Sequence, residues 1–195
     1  YVVALFRDPY DWVEAMRRKP YHAPMHLDLD WYSFVTLPWT MPRYGRDLLV
    51  KNETSTYCEE DFGFLDVIPC LEHGKFSKTN SRPKYEMRND GSGMPYENIL
   101  QLRSDKIANM LSVEQFPSVI DLHVVRYEDI QEYGTSSLIA HLEQALGVKS
   151  QCQPLEPRPS IGKDPRSKHD PGYMAWMQEN VNWETEEMIG YHRFI

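Results

Sequence analysis

The sequence is short of cysteine, has no long apolar run and carries less positive than negative charge. No stretch approaches the roughly 20 consecutive apolar residues that a membrane-spanning helix needs. The spacing of Cys58, Cys70 and Cys152 matches no zinc-binding pattern, so we predict no metal site. The formal net charge of −8 argues against a nucleic-acid-binding protein, because such proteins present a basic surface. A local cluster of Arg and Lys that holds one anionic ligand is still compatible with this charge.

Hydrophobic residues make up 41% of the 195 residues, which argues against global disorder and fits a single domain over 1–195. The chain opens at Tyr1 directly in an apolar run, and a domain rarely begins inside a buried strand. We therefore expect a partial domain, incomplete at the N-terminus. A disulfide between Cys58 and Cys70 and the glycosylation sequon at Asn52 would suit a secretory compartment; free thiols and an unused sequon are equally compatible.

Strands alternate with helices along the chain, which predicts an α/β fold with a parallel sheet. Residues 1–6 are apolar and β-rich, as expected of a buried parallel strand, and residues 119–127 read as a second strand. Asp8 is a good N-cap and Pro9 suits the first turn of a helix. Helices are predicted over four segments: 10–18, 96–111, 136–146 with Gly147 as its C-terminal cap, and 171–190.

Residues 20–100 form a long loop-rich insertion in which prolines and aromatic residues recur. We expect ordered loops with one or two short helices that lie over an active site, because long structureless stretches in compact domains are usually functional or disordered. His22, His26 and His73 lie in this insertion. They are candidates to face an acceptor substrate, or they are ordinary solvated loop residues.

Arg7 stands at the carboxyl end of the first predicted strand and directly before a helix. In open α/β sheets ligands bind at the carboxyl ends of strands, and a helix start offers N–H groups to an anion. An arginine adds a permanent charge and two parallel donors for a phosphate. The pattern therefore indicates a phosphate site; the alternative is an ion pair of Arg7 with Asp8 or Asp11.

A second basic cluster lies in the loop 160–169 of this otherwise acidic chain. It contains Lys163, Arg166 and Lys168, and Gly162 allows the backbone to approach a ligand closely. This pattern is compatible with a loop that contacts an anionic ligand. A solvated basic loop is the alternative, because charge runs are often plain surface.

Four segments together resemble the sulfotransferases that use 3'-phosphoadenosine 5'-phosphosulfate (PAPS), and one of them looks like algal and fungal members. Residues 3–12, followed by Tyr21-His22, resemble the family's 3'-phosphate-binding segment. Residues 96–106 look like a helix with a Leu-Arg-x-x-Lys pattern, and residues 125–130 resemble a strand-end Tyr-Glu-Asp motif. Residues 182–191 resemble the family's Trp-x-x-Glu-x-x-x-Gly-Tyr ending.

The resemblance implies a three-layer, P-loop-type parallel sheet flanked by helices. It implies an enzyme that transfers a sulfuryl group from PAPS, without a metal, to a hydroxyl or amine of a small-molecule or glycan acceptor. Arg7 would bind the nucleotide's 3'-phosphate, and the loop with Lys163, Arg166 and Lys168 would fold over the nucleotide and contact the same phosphate.

The other motif residues have simpler interpretations. Arg103 and Lys106 could pair with Asp105 or Glu97 on a solvated helix face. Glu128 is interpreted as an architectural residue that caps a turn. The two aromatic residues of the last segment, Trp183 and Tyr191, are predicted to anchor the core.

Two departures from the family pattern bear on activity. Ala15 stands where a serine usually helps the arginine, and the sequence contains no Gly-x-x-x-x-Gly-Lys-[Ser/Thr] or related phosphosulfate loop. In the family that loop and the catalytic base lie upstream of the Arg-x-Pro segment, so no catalytic residue is assigned and the fragment alone is expected to be inactive. A catalytically degenerate binding protein of the same fold and a nucleotide kinase of the same fold class remain as alternatives.

Overall fold

The computed structural model describes residues 1–20, 23, 26, 29–39, 88–92, 94–158 and 169–193. The chain divides into two compact units, and each is described by itself below. Unit 1 comprises Tyr1–Tyr10 and Ile107–Ile195, and unit 2 comprises Asp11–Lys106.

Unit 1 contains a two-stranded parallel sheet of β1 (Val2–Phe6) and β2 (Leu122–Arg126). The register pairs Val2 with Leu122 and Phe6 with Arg126, so both strands end at the same edge. The prediction of two parallel strands is therefore confirmed. No further strand pairs with them within the part of the chain that the structure describes.

Seven α-helices are present among the described residues, which together with the sheet confirms an α/β chain. A short 3₁₀ helix, Ser112–Gln115, follows the third of them. The helices are α1 (Pro9–Arg18), α2 (Trp31–Thr36), α3 (Ile99–Leu111), α4 (Tyr127–Tyr133), α5 (Ser136–Leu146), α6 (Pro171–Asn180) and α7 (Trp183–Glu187). In the described residues, no helix has both the length and the apolar character needed to cross a membrane.

The core of unit 1 lies on one face of the sheet. Alternate strand residues point to opposite faces, and Ala4 and Phe6 are buried whereas Val3 and Leu5 are exposed. The buried strand residues pack with Ile107, Ile189 and Tyr191, against which Leu111, Leu122 and Val124 also lie. The predicted role of Tyr191 as a core anchor is confirmed.

A second group of aromatic residues packs together in unit 1, with Tyr10 and Tyr173 buried and Trp183 partly buried. The Tyr10 ring contacts Tyr173 edge to face at 6.4 Å and lies 6.2 Å from the ring of Trp183. The Tyr10 hydroxyl donates to Gln178 Oε1 at 2.7 Å, and the Tyr173 hydroxyl donates to the Tyr10 carbonyl at 2.8 Å. These hydrogen bonds satisfy the polar ends of rings whose apolar parts are buried.

The predicted single helix over 171–190 is wrong, because the chain breaks between α6 and α7. Val181 takes an extended conformation and is buried, and the Asn182 side chain caps α7 by accepting from the Thr185 amide at 3.2 Å. The Trp183 indole N–H donates to the Gln178 carbonyl at 2.9 Å, which fixes the turn. No Gly or Pro marks this break in the sequence.

Unit 2 has its own aromatic cluster around α2. The α2 helix is capped by Asp30, whose carboxylate accepts from the amides of Tyr32 and Ser33. His26 is fully buried, with its ring stacked on Trp39 at 4.3 Å and edge to face with Phe34. Trp39 forms an antiparallel bridge with Tyr96. The expected short helix in the insertion is thus present, whereas residues 40–87 lie outside the described part.

Candidate functional site

The candidate site is the edge of the sheet at which β1 and β2 end. Phe6 and Arg126 are paired as the last strand residues, so Arg7 and Tyr127 follow them as neighbours. Two helices start here, α1 at Pro9 and α4 at Tyr127. The backbone N–H groups at a helix start carry a partial positive charge, so the two helix starts contribute positive potential to this edge.

Arg7 is half-buried, and its guanidinium carbon lies 5.3 Å from the centroid of the Tyr127 ring. A cation over an aromatic face is attracted by the ring's negative face. The structure thus places Arg7 where the sequence predicted it, after β1 and beside the start of a helix. No spacing in the sequence predicted the contact between Arg7 and Tyr127.

Asp8 caps α1 as predicted. Its Oδ1 accepts from the Tyr10 amide at 2.9 Å, and Pro9 occupies the first turn, where the missing N–H costs nothing. The turn of Arg7, Asp8 and Pro9 is therefore set by local sequence. The helix α1 that begins at Pro9 is ten residues long.

Glu128 joins this turn to two distant parts of unit 1. Its Oε1 accepts from the Asp8 amide at 3.0 Å, and its Oε2 accepts from the Tyr191 hydroxyl at 2.5 Å. The same hydroxyl lies 3.2 Å from the Phe6 carbonyl. Glu128 is thus an architectural residue, as expected. It accepts a hydrogen bond from the turn after β1, however, and was expected to cap the turn that follows β2.

Arg126 is a second arginine at the same edge, and it forms an ion pair with Asp129. Its Nε and Nη2 donate to the two oxygens of Asp129 at 2.8 and 2.6 Å, and its Nη1 donates to the Gly190 carbonyl at 3.2 Å. Hydrogen bonding to Asp129 raises the pKa of Arg126. Arg126 is the residue that precedes α4 and Asp129 lies in the first turn of that helix, so the pair is local in sequence.

The other predicted ligands for the nucleotide, Lys163, Arg166 and Lys168, lie outside the described residues. The described chain reaches Arg158 before this loop and resumes at His169. The Arg158 amide donates to the Gln131 carbonyl at the end of α4 at 2.7 Å. The His169 ring lies 5.5 Å from the ring of Tyr173. Their contribution to a nucleotide site stays a prediction.

Arg103 in unit 2 differs from expectation. The side chain is buried, with its guanidinium carbon 5.0 Å from the centroid of the Trp12 ring, so it does not lie on a solvated face. Glu97 instead pairs with Arg88 at 3.0 Å. Lys106 is exposed, as predicted for a solvated helix face. The amphipathic spacing alone did not show which of the two cations is buried.

Of the three histidine candidates, one lies in the described part of the chain and two lie outside it. His26 is in the interior of unit 2 against Trp39, whereas His22 and His73 lie outside the described residues. Among the cysteines, Cys152 is free and exposed; Cys58 and Cys70, like the sequon at Asn52, fall outside the described ranges. Within those ranges, no group of three or more metal-ligating side chains occurs.

Comparisons with protein-family models, with curated proteins and with solved structures found no match for this chain. A function for the chain is therefore inferred from the geometry of the edge and from the sequence motifs.

Proposed function

We propose that the chain binds PAPS, with Arg7 on the 3'-phosphate, and that it forms part of a sulfotransferase that acts on a hydroxyl or amine of a small-molecule or glycan acceptor. The observation that carries the proposal is the position of Arg7. It directly follows β1, at the edge where β1 and β2 both end, and it immediately precedes the capped start of α1. This is the placement that a phosphate site at the end of a parallel sheet requires.

Arg7 has a binding role in this proposal. Sulfuryl transfer, like phosphoryl transfer, depends on in-line positioning and charge stabilisation more than on covalent catalysis. A residue that anchors the far end of the nucleotide contributes by fixing the position of the reacting sulfuryl group. Arg7 suits this role because its charge is permanent and its planar group bonds two phosphate oxygens at once.

The fold that accompanies this proposal is a three-layer, P-loop-type parallel sheet with helices on both faces. The parallel pairing of β1 and β2 and the helix that follows each strand support it. A pair of strands is rarely stable alone, so further strands would extend the sheet. Residues 20–100 would then be a loop-rich insertion that shapes the acceptor pocket.

The loop with Lys163, Arg166 and Lys168 completes the proposed nucleotide site. A bisphosphate nucleotide carries several negative charges, and one arginine neutralises only part of them. In a chain of net charge −8, a local group of three cations is the feature that best compensates the remainder. The described residues on either side of the loop, Arg158 and His169, both belong to unit 1, as Arg7 does.

A nucleotide-binding protein of the same fold without transfer activity is the second candidate. The observation in its favour is that Ala15 stands where the family uses a serine, and that the sequence contains no phosphosulfate loop. Both candidates require nucleotide binding at Arg7. If coding sequence precedes Tyr1, a strand there followed by a loop rich in Gly, Ser, Thr and Lys would favour the enzyme.

The test is a calorimetric titration of the chain with 3'-phosphoadenosine 5'-phosphate and with adenosine 5'-phosphate, which differ by the 3'-phosphate alone. Arg7→Ala should weaken binding of the bisphosphate by roughly tenfold or more, because a charge-assisted contact contributes about 1.5–3 kcal/mol. Binding of the monophosphate should change little. Arg7→Lys should restore part of the loss, since a lysine keeps the charge without the planar fork.

Arg18→Ala is the matched control for net charge. Its side chain lies at the last turn of α1, 71% exposed. This variant should leave both affinities unchanged. If Arg7→Ala weakened the binding of both nucleotides equally, or of neither, Arg7 would not hold the 3'-phosphate. The proposed function would then lose its main support.

A further inference from the structure

We propose that Glu128 is a positioning residue for the 3'-phosphate, one that fixes the turn bearing Arg7 and does not itself contact the nucleotide. The proposal rests on the proposed function and assigns to Glu128 a role within it. The geometry points to Glu128 because three segments far apart in sequence meet at its carboxylate. These are the turn after β1, the start of α4 and the chain after α7.

The backbone of the turn is held through Asp8. Its amide belongs to the peptide bond that joins it to Arg7, and it donates to Glu128 Oε1 at 3.0 Å. Fixing this peptide fixes the backbone from which the Arg7 side chain projects. A hydrogen bond to a charged group is stronger than one between neutral groups.

The side chain of the same arginine is held by the neighbouring residue of α4. Tyr127 presents its ring to the Arg7 guanidinium at 5.3 Å. Consecutive residues at the start of α4 therefore fix both the backbone and the side chain of the proposed phosphate ligand. Together, Tyr127 and Glu128 would hold Arg7 in its binding position before the anion arrives. Such preorganisation lowers the free-energy cost of binding.

Tyr191 in turn holds Glu128. Its ring is buried in the core of unit 1, and its hydroxyl lies 2.5 Å from Glu128 Oε2 and 3.2 Å from the Phe6 carbonyl. The hydroxyl therefore lies between the end of β1 and the carboxylate that holds the turn. Through this contact the chain after α7 acts on the position of Arg7.

The charge of Glu128 and its hydrogen bonds have opposite effects on the affinity for the phosphate. A carboxylate close to a bound phosphate repels it, so removing the charge alone should strengthen phosphate binding. Removing the hydrogen bonds releases the turn and should weaken binding. Substitutions that separate charge from hydrogen bonding therefore distinguish a positioning role from a purely electrostatic one.

The experiment measures the preference of the chain for 3'-phosphoadenosine 5'-phosphate over adenosine 5'-phosphate in three single variants and one double variant. Glu128→Ala should reduce this preference by roughly tenfold. Glu128→Gln should retain or increase it, because the amide oxygen still accepts from the Asp8 amide, the amide N–H can donate to the Tyr191 oxygen, and the charge is gone. Tyr191→Phe should reduce the preference less than Glu128→Ala. Combining the two substitutions should add little to Glu128→Ala alone, since both act through one carboxylate.

Amide hydrogen exchange at Asp8 provides a readout that needs no nucleotide. Exchange at this amide should accelerate in Glu128→Ala and stay near the wild-type rate in Glu128→Gln. Equal preference in the wild type, Glu128→Ala and Glu128→Gln, with unchanged exchange, would overturn the positioning role and leave the proposed function intact. A wild-type chain without preference for the bisphosphate would instead overturn the proposed function. The exchange rates would then decide whether Glu128 fixes the turn.

Discussion

The guanidinium of Arg7 lies over the ring of Tyr127, although the two residues are 120 positions apart in the chain. The parallel register brings them together, because each directly follows the last residue of its strand. A cation held over an aromatic ring keeps its charge while its apolar stem is packed. The arginine that the sequence singled out is thus one that the structure fixes in place.

The first prediction of this arrangement concerns Tyr127. Tyr127→Ala should weaken binding of 3'-phosphoadenosine 5'-phosphate by roughly two- to fivefold, because a partly exposed cation–π contact contributes about 0.5–1 kcal/mol. Tyr127→Phe keeps the ring and loses only the hydroxyl, which accepts from Gln131 at 3.3 Å. It should bind as the wild type does. Calorimetric titration of both variants checks the prediction, and equal losses would assign the effect to the hydroxyl and not to the ring.

Local patterns predicted the elements around the site, whereas the contacts between them had no local signal. The strand within 1–6, the cap at Asp8 and the end of α5 at Gly147 are all read from adjacent residues, and the structure confirms them, although the strand is buried on one face only. Glu128 is different. Its partners Asp8 and Tyr191 are 120 and 63 residues away, so no spacing within a motif could reveal them.

The break between α6 and α7 shows a second limit of the sequence pattern. The residues from Pro171 to Gly190 include no interior Gly or Pro beyond Gly172, so helical periodicity appeared continuous. The signal that existed was Asn182, a good N-cap that precedes Glu184 and Glu186 in the first turn of α7. Burial of Val181 and the indole hydrogen bond of Trp183 stabilise the break, and both depend on tertiary packing.

The second prediction compares two glycines in unit 1 that have positive φ. Gly134, after α4, has φ 73° and ψ −164°, and a Cβ there would clash with the carbonyl oxygen of Leu155. Gly147, after α5, has φ 63° and ψ 26°, and a Cβ there would meet no atom within 4 Å. Both positions strain an L-residue, but only Gly134 adds a steric clash with the backbone.

Gly134→Ala should therefore lower the free energy of unfolding by more than about 2 kcal/mol, and Gly147→Ala by only about 1 kcal/mol. The difference between them reports the clash together with the greater backbone strain at Gly134, because Gly147 is left-handed whereas the φ and ψ of Gly134 lie in a region that essentially only glycine adopts. Urea denaturation followed by circular dichroism measures both values. Equal destabilisation would mean that the chain near Leu155 moves away at little cost.

The third prediction concerns the pH dependence of the α2 cap. Hydrogen bonds from Ser33, first from its backbone amide and then from its hydroxyl, lower the pKa of Asp30 below its usual value of 3.8, and the Tyr32 amide adds to this. A carboxyl whose folded pKa is depressed stabilises the fold above its unfolded pKa. That stabilisation is lost as the pH falls through the folded pKa. The wild type should thus lose it below about pH 4.

Asp30→Asn is the matched control, because asparagine caps helices about as well as aspartate and does not titrate. The difference in melting temperature between the wild type and Asp30→Asn should be constant from pH 7 to about pH 5. As the pH falls further, the wild type should lose stability relative to the variant. Direct titration of the Asp30 carboxyl carbon by NMR should give a midpoint below 3.8. A midpoint at or above that value, or a constant difference in melting temperature down to pH 2.5, would show that the Ser33 hydrogen bonds do not favour the ionised cap.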